Sequence, residues 1–166
     1  MIRQANKYDT IAIIELMKQF CEESKIAHLQ NLNNQEYWEN LANQIYAGRG
    51  VIYIEEGKGL IMAIISPSVW CNKTYVMHEL AWYVKPEFRH TTTGYRLLKA
   101  YIDYAKELKK QNVLFSFASG RLHSALLPVA EELNIRIPII SLDGSVIKSS
   151  ESKDFVYQSF LKQKHV

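Results

Sequence analysis

Near the start of the chain, apolar residues recur at helical spacing. Ile13, Leu16, Met17 and Phe20 fall on one helix face, which predicts a helix capped by Asp9 and ending near Ser24, after a short strand at Ile2 to Gln4. A polar stretch from Gln30 to Gln35 leads into a second helical pattern, Trp38, Leu41, Ile45 and Tyr46, stopped by Gly48 and Gly50. The period then changes. Val51 to Ile54 and Leu60 to Ile65 are short apolar runs around Glu55-Glu56-Gly57-Lys58-Gly59, the pattern of a hairpin whose second strand stops at Pro67. Tyr75 to Val84 is a longer run of β-formers, with Pro86 as its stop signal.

Past Gly94, the residues Leu97, Leu98, Tyr101, Ala105 and Leu108 form the apolar face of an amphipathic helix, with Lys99, Asp103, Lys106 and Lys110 turned to water. Val113 to Ala118 reads as a strand and Ser124 to Leu133 as a helix, in which Pro128 implies a late start or a bend. Ile135 to Ile140 and Phe155 to Leu161 read as strands. A meander followed by alternating helices and strands predicts an α/β or α+β fold, with a central mixed sheet and helices on both faces.

Composition narrows the function classes. A chain of 166 residues that is 48% hydrophobic and 22% charged has the makeup of a single domain spanning 1–166. Its net charge of +3 is spread rather than clustered, which argues against a nucleic-acid partner while leaving acidic cofactors compatible. The basic residues Arg121, Lys148, Lys162 and Lys164 read more simply as a solvated face, without the interleaved aromatics of an RNA surface. Cys21 and Cys71 lack zinc or redox spacing and read as idle thiols. With no apolar leader and no run of about 20 apolar residues, a soluble cytoplasmic protein is expected, with no membrane partner.

The chemistry concentrates between His78 and Leu98. Arg89-His90-Thr91-Thr92-Thr93-Gly94 is a short turn ahead of a helix, where unpaired N–H groups and the positive end of the dipole favour an anion. Arg89 and three threonine hydroxyls offer further donors, although threonines in that place also serve as ordinary caps.

The stretch Glu79-Leu80-Ala81-Trp82-Tyr83-Val84-Lys85-Pro86-Glu87-Phe88-Arg89, followed by a turn, Gly94 and Leu97-Leu98, resembles the acyl-CoA motif of the GNAT superfamily of N-acyltransferases. That motif opens on Arg or Gln, with small residues three and five positions later, matched here by Arg89, Thr92 and Gly94. Thr92 departs from the pattern and either narrows the loop or supplies a hydroxyl contact. The Trp82-Tyr83 pair before Val84 resembles compact GNAT proteins of bacteriophage genomes. The resemblance implies a GNAT-like sheet, mixed but mostly antiparallel, that splays between its fourth and fifth strands to admit acetyl-CoA or another acyl-CoA. It implies a pyrophosphate on the turn Arg89, His90, Thr91, Thr92, Thr93, Gly94 and Tyr95, and a pantetheine arm along Trp82, Tyr83 and Val84. It implies a strand N–H that polarises the thioester carbonyl, and no metal.

An amine acceptor arrives protonated, with a pKa of about 10.4 for a lysine-like group, so a base is required. Glu79 is the first candidate, on the strand that carries the oxyanion amide. Strict alternation puts Glu79, Ala81 and Tyr83 on one side and His78, Leu80 and Trp82 on the other, so His78 is the alternative base. For each, the plain alternative is a solvated carboxylate or a packed imidazole. The family's usual acid is a tyrosine, and Ala130 stands in its place, leaving His123, Ser124, another tyrosine or water. Two functions compete: acyl transfer to the primary amine of a small molecule, peptide or protein, and a CoA-binding or protein-interaction module of the same fold without turnover. Acceptor determinants are expected around His28 to Tyr46 and the Asp143-Gly144 turn, and the apolar last strand offers an edge for a homodimer.

Overall fold

The computed structural model describes residues 1–23, 34–69, 71–110, 113–114, 122–132, 135, 138–141, 146–148 and 155–158. Outside them lie Ser24, the polar stretch from His28 to Asn33, the strand expected to Ala118 beyond Leu114, and Arg121. So do Leu133-Asn134, the Asp143-Gly144 turn, and everything after Gln158, including Lys162 and Lys164. The chain gathers into two compact units, Met1–Glu107 and Leu108–Val166.

The first unit runs β1 (Arg3–Gln4), α1 (Thr10–Glu23), α2 (Gln35–Gln44), β2 (Gly50–Glu55), β3 (Gly59–Ser68), β4 (Cys71–Val84) and all but the last two residues of α3 (Thr93–Lys109). Strands β1 to β4 pair antiparallel in chain order. Register assigns the faces. Ile52 and Ile54 oppose Met62 and Leu60, which in turn oppose Ala81 and Tyr83, and this face packs on Ile13, Leu16, Ala42 and Ile45 of the segment containing α1 and α2. The other face carries Tyr53, Ile61, Trp82 and Val84 and receives α3: the Tyr53 ring meets Tyr104 at 6.4 Å, and Gly94 sits beside Val84 and Trp82. Helices therefore cover both faces, as the spacing predicts. Leu60, Ile61 and Leu97 are at most 1% exposed, and each such burial contributes about 1.5–3 kcal/mol.

Three local expectations are corrected. Asp9 is not the helix cap: Asn6 caps a 3-10 turn at Lys7–Asp9, accepting from the Tyr8 amide at 2.9 Å. Asp9 instead closes the capping box on the Asn6 amide at 2.9 Å while gripping Arg3 at 2.7 and 2.8 Å. Pro67 does not end β3. β2 pairs with β3 only as far as Ile64, so Pro67 lies on an edge where its missing N–H costs no ladder bond, and the strand continues opposite β4. For the same reason β4 extends back to Cys71 rather than starting at Tyr75.

The second unit holds β5 (Val113–Leu114), α4 (His123–Glu132), β6 (Ile139–Ser141), β7 (Val146–Lys148) and β8 (Phe155–Gln158). β6, β7 and β8 form an antiparallel meander, and Leu126, Ala130, Ile135, Ile139 and Val146 are buried. Pro128 lies inside α4. Among the described residues, no helix is long and apolar enough to cross a membrane.

Candidate functional site

The pairing of β3 with β4 slips once at its centre. Met62 opposes Ala81 while Ala63 opposes Glu79, so Leu80 is an extra residue and the strand bulges there. The bulge overturns strict alternation. Glu79 joins Met77 and Trp82 on the face covered by α3, whereas His78 joins Ala81 and Tyr83 on the face of α1. The two candidate bases therefore lie on opposite faces, with Glu79 no longer beside Tyr83. Glu79 keeps contact with water, yet the surrounding protein withdraws enough solvent to raise its carboxyl pKa. Tyr101 of α3 is buried, and burial together with the Glu79 charge pushes its phenol well above the ordinary range.

After β4, Pro86–Phe88 forms a 3-10 turn, and the chain enters α3 through a run of internal bonds. The Thr91 hydroxyl donates to the Phe88 carbonyl at 2.6 Å, and the Thr93 hydroxyl donates to Glu55 Oε2 at 3.0 Å. Two of the three threonine hydroxyls thus serve the turn itself; that of Thr92 is on the exposed side. The Thr93 amide donates to Thr91 Oγ1 at 3.3 Å, and the Arg96 amide reaches the Thr92 carbonyl at 2.9 Å. Gly94 and Tyr95 lie between them, with amides that the helical ladder cannot use. Those amides and the helix dipole present positive potential, flanked by the exposed His90 and Tyr95 side chains.

Arg89 is already engaged. Its Nε donates to the Val84 carbonyl at 2.9 Å, its two terminal nitrogens meet Glu23 at 2.5 and 2.6 Å, and the guanidinium stands 5.8 Å from the centre of the Tyr83 ring. Tyr83 also donates its hydroxyl to Glu23 Oε2 at 3.2 Å. The hydrogen bond from Arg89 holds the Glu23 carboxyl below its usual range. An open pocket of about 240 Å³ lies among Phe20, Glu23, Trp82, Tyr83, Val84 and Arg89. Glu23 escapes the sequence reading. Its one signal is an acidic side chain in the last turn of a helix, where the dipole opposes it unless a cation answers.

In the second unit, His123 stands with Nδ1 3.4 Å from Ser141 Oγ, and burial with the Lys148 charge lowers its pKa. Ala130 is fully buried. Among the described residues, no group of three or more His, Cys, Asp or Glu side chains is placed to hold a metal ion.

Comparison with known proteins places residues 12–125 against the acetyltransferase (GNAT) family. Residues 92–166 match the haloacid dehalogenase-like hydrolase family, over less than half of the chain. No curated protein matches. Among solved structures, an N-acetyltransferase from Staphylococcus aureus Mu50 aligns at 17% identity with a TM-score of 0.55, covering 81% of this chain and 81% of its own. Ribosomal-protein-alanine N-acetyltransferase from Brucella melitensis aligns at 17% identity with a TM-score of 0.53, covering 69% and 70%. Glucosamine-6-phosphate N-acetyltransferase from Arabidopsis thaliana aligns at 17% identity with a TM-score of 0.50, covering 81% and 90%. At such identities the likeness speaks for the fold alone.

Proposed function

The chain belongs to the acetyltransferase (GNAT) family, and on that premise we propose that it transfers an acetyl or other short acyl group from its CoA thioester to a primary amine, residues 1–166 serving as one acyltransferase domain. The observation that carries this reading is the start of α3, where the Gly94 and Tyr95 amides are left free of the helical ladder, with Arg89 five positions before Gly94. Amides and a fork-shaped cation together suit a pyrophosphate. Gly94 is half-buried and makes room there, and Trp82 to Val84 extend from the turn as the run for a pantetheine arm.

In this reading Glu79 takes a proton from the bound ammonium. Its raised pKa makes it a stronger base than an ordinary surface carboxylate. The freed amine attacks the thioester carbonyl carbon, whose oxygen is held by a backbone N–H of β4; the C–N bond forms and the C–S bond breaks. The departing thiolate is protonated by solvent or by a side chain yet to be assigned, since Ala130 stands where a tyrosine would be expected and His123 has a depressed pKa. Ala130 also favours a second reading, CoA binding without turnover.

Acetyl-CoA is expected to raise the melting temperature under both readings, and no shift with a range of acyl-CoAs overturns both. Thiol release with a panel of small amines and peptides then decides between them: turnover supports transfer, and binding without release supports the second.

A further inference from the structure

Glu55 closes β2 with its side chain 3% exposed. Four donors converge on it: the Thr93 hydroxyl on Oε2 at 3.0 Å, and Arg96, Lys58 and the Met1 ammonium on Oε1 at 3.2, 3.3 and 3.3 Å. Burial alone raises the pKa of such a carboxyl, but these donors outweigh it and leave the group below its usual range. The carboxylate is therefore ionised at neutral pH. Its surroundings offset its charge.

A neutralised carboxylate beneath a helix is often only a stabilising contact, and the Thr93 bond sets this one apart. Thr93 is 2% exposed, opens α3, and immediately precedes Gly94 and Tyr95. Its amide donates to Thr91 Oγ1 at 3.3 Å, so one buried residue joins Glu55 to the body of the turn. We propose that Glu55, acting through Thr93, is the positioning residue of the phosphate-binding turn, setting the height and rotation at which the Gly94 and Tyr95 amides meet the pyrophosphate. The inference rests on the acyl-CoA reading above.

Electrostatics gives the test a sign. A carboxylate behind a helix N-terminus repels a bound pyrophosphate, so if Glu55 acted only through its charge, removing that charge would tighten acetyl-CoA binding. Positioning requires the reverse. Thr93→Val, which changes no charge, is expected to raise both the Kd and the KM for acetyl-CoA about tenfold while kcat at saturation stays within about twofold. Thr93→Ser restores the hydroxyl and is expected to restore affinity. Glu55→Gln is expected to weaken binding in spite of the lost repulsion.

The measurements are calorimetric titration and steady-state kinetics on the full chain, with circular dichroism as a folding check. If Glu55→Gln does not fold, the Thr93→Val and Thr93→Ser pair decides alone. Thr93→Val binding like the parent protein, or a folded Glu55→Gln binding more tightly, overturns the inference. Failure of the parent protein itself to bind any acyl-CoA instead overturns the reading beneath it.

Discussion

Glu23 and Arg89, separated by 66 positions, meet side on, each carboxylate oxygen facing one guanidinium nitrogen at 2.5 and 2.6 Å. Carboxylate and phosphate present the same geometry to this fork, so Glu23 holds the place that a cosubstrate phosphate is proposed to take. Both side chains are well exposed, at 38% and 48%, so the pair contributes little to stability and its exchange for a phosphate is inexpensive.

Removing the internal competitor should therefore favour the external one. Glu23→Gln is expected to lower the Kd for acetyl-CoA about two- to fivefold, with a steeper dependence on salt, and to leave the melting temperature nearly unchanged. Arg89→Ala should weaken binding by a larger factor. Titrations at low and high ionic strength check both; unchanged affinity in Glu23→Gln would mean that Arg89 never leaves Glu23 for a phosphate.

For Glu79, rate and stability are expected to move in opposite directions. Its folded pKa is raised, so its contribution to stability is fully present below the unfolded carboxylate pKa of about 4.3 and is lost as pH rises through the folded value. At neutral pH the ionised form is mildly unfavourable, and Glu79→Gln should keep or raise the melting temperature. Turnover should fall by about a hundredfold or more, as for loss of a general base, with the residual rate climbing as the free-amine fraction grows toward pH 10. Loss of melting temperature and rate together would instead mark Glu79 as a structural partner.

The sheet of the first unit was legible because short apolar runs rich in β-formers, separated by turn residues, state both the strands and their order, as in the Gly57 turn between β2 and β3. The turn that leads from β4 into α3 was legible from Pro86 and Gly94. What the spacing could not carry was register. A single extra residue at Leu80 reverses the faces of Glu79 and His78 relative to Tyr83, and no composition signal marks which residue in an apolar run will bulge. Glu23 and Glu55 were missed for a related reason: each acquires its role from partners dozens of positions away, Arg89 in one case and Thr93 in the other. β7, at three residues, is too short to show any period.

Gly94 and Gly59 look alike in sequence but face different surroundings. A Cβ on Gly94 would lie 3.7 Å from Val84 Cγ2 and 3.9 Å from Trp82 Cζ2, ordinary contact distances, whereas one on Gly59 would lie 2.4 Å from the Tyr83 carbonyl oxygen. Gly94→Ala should therefore fold with a change within about 0.5 kcal/mol, and Gly94→Glu, placing a carboxylate at the turn, should weaken acetyl-CoA binding more than tenfold. Gly59→Ala should cost about 3 kcal/mol or more, because backbone must move. Denaturant melts and titrations of the three variants check this; a destabilised Gly94→Ala would mean that the turn packs more tightly than its distances state.

Acid stability offers a check on Glu55 that involves no ligand. Its folded pKa is depressed, so its stabilising contribution is complete above the unfolded value of about 4.3 and disappears as pH falls through the folded value. Asp9, held down by its hydrogen bonds from Arg3, follows the same sign, so both carboxylates lose their contribution in the acid range. Only the Glu55 share is removed by mutation of Glu55. At pH 7, Glu55→Gln should be less stable than the parent by about 1–3 kcal/mol, since Arg96 and Lys58 are partly exposed and recover some hydration when unpaired. As pH is lowered through 4 the two melting curves should converge, because the parent protonates the group that the variant already lacks as a charge. Melting temperatures taken in steps from pH 7 to pH 3 would show this directly, and a gap that stayed constant over that range would mean that the Glu55 charge does not hold the start of α3.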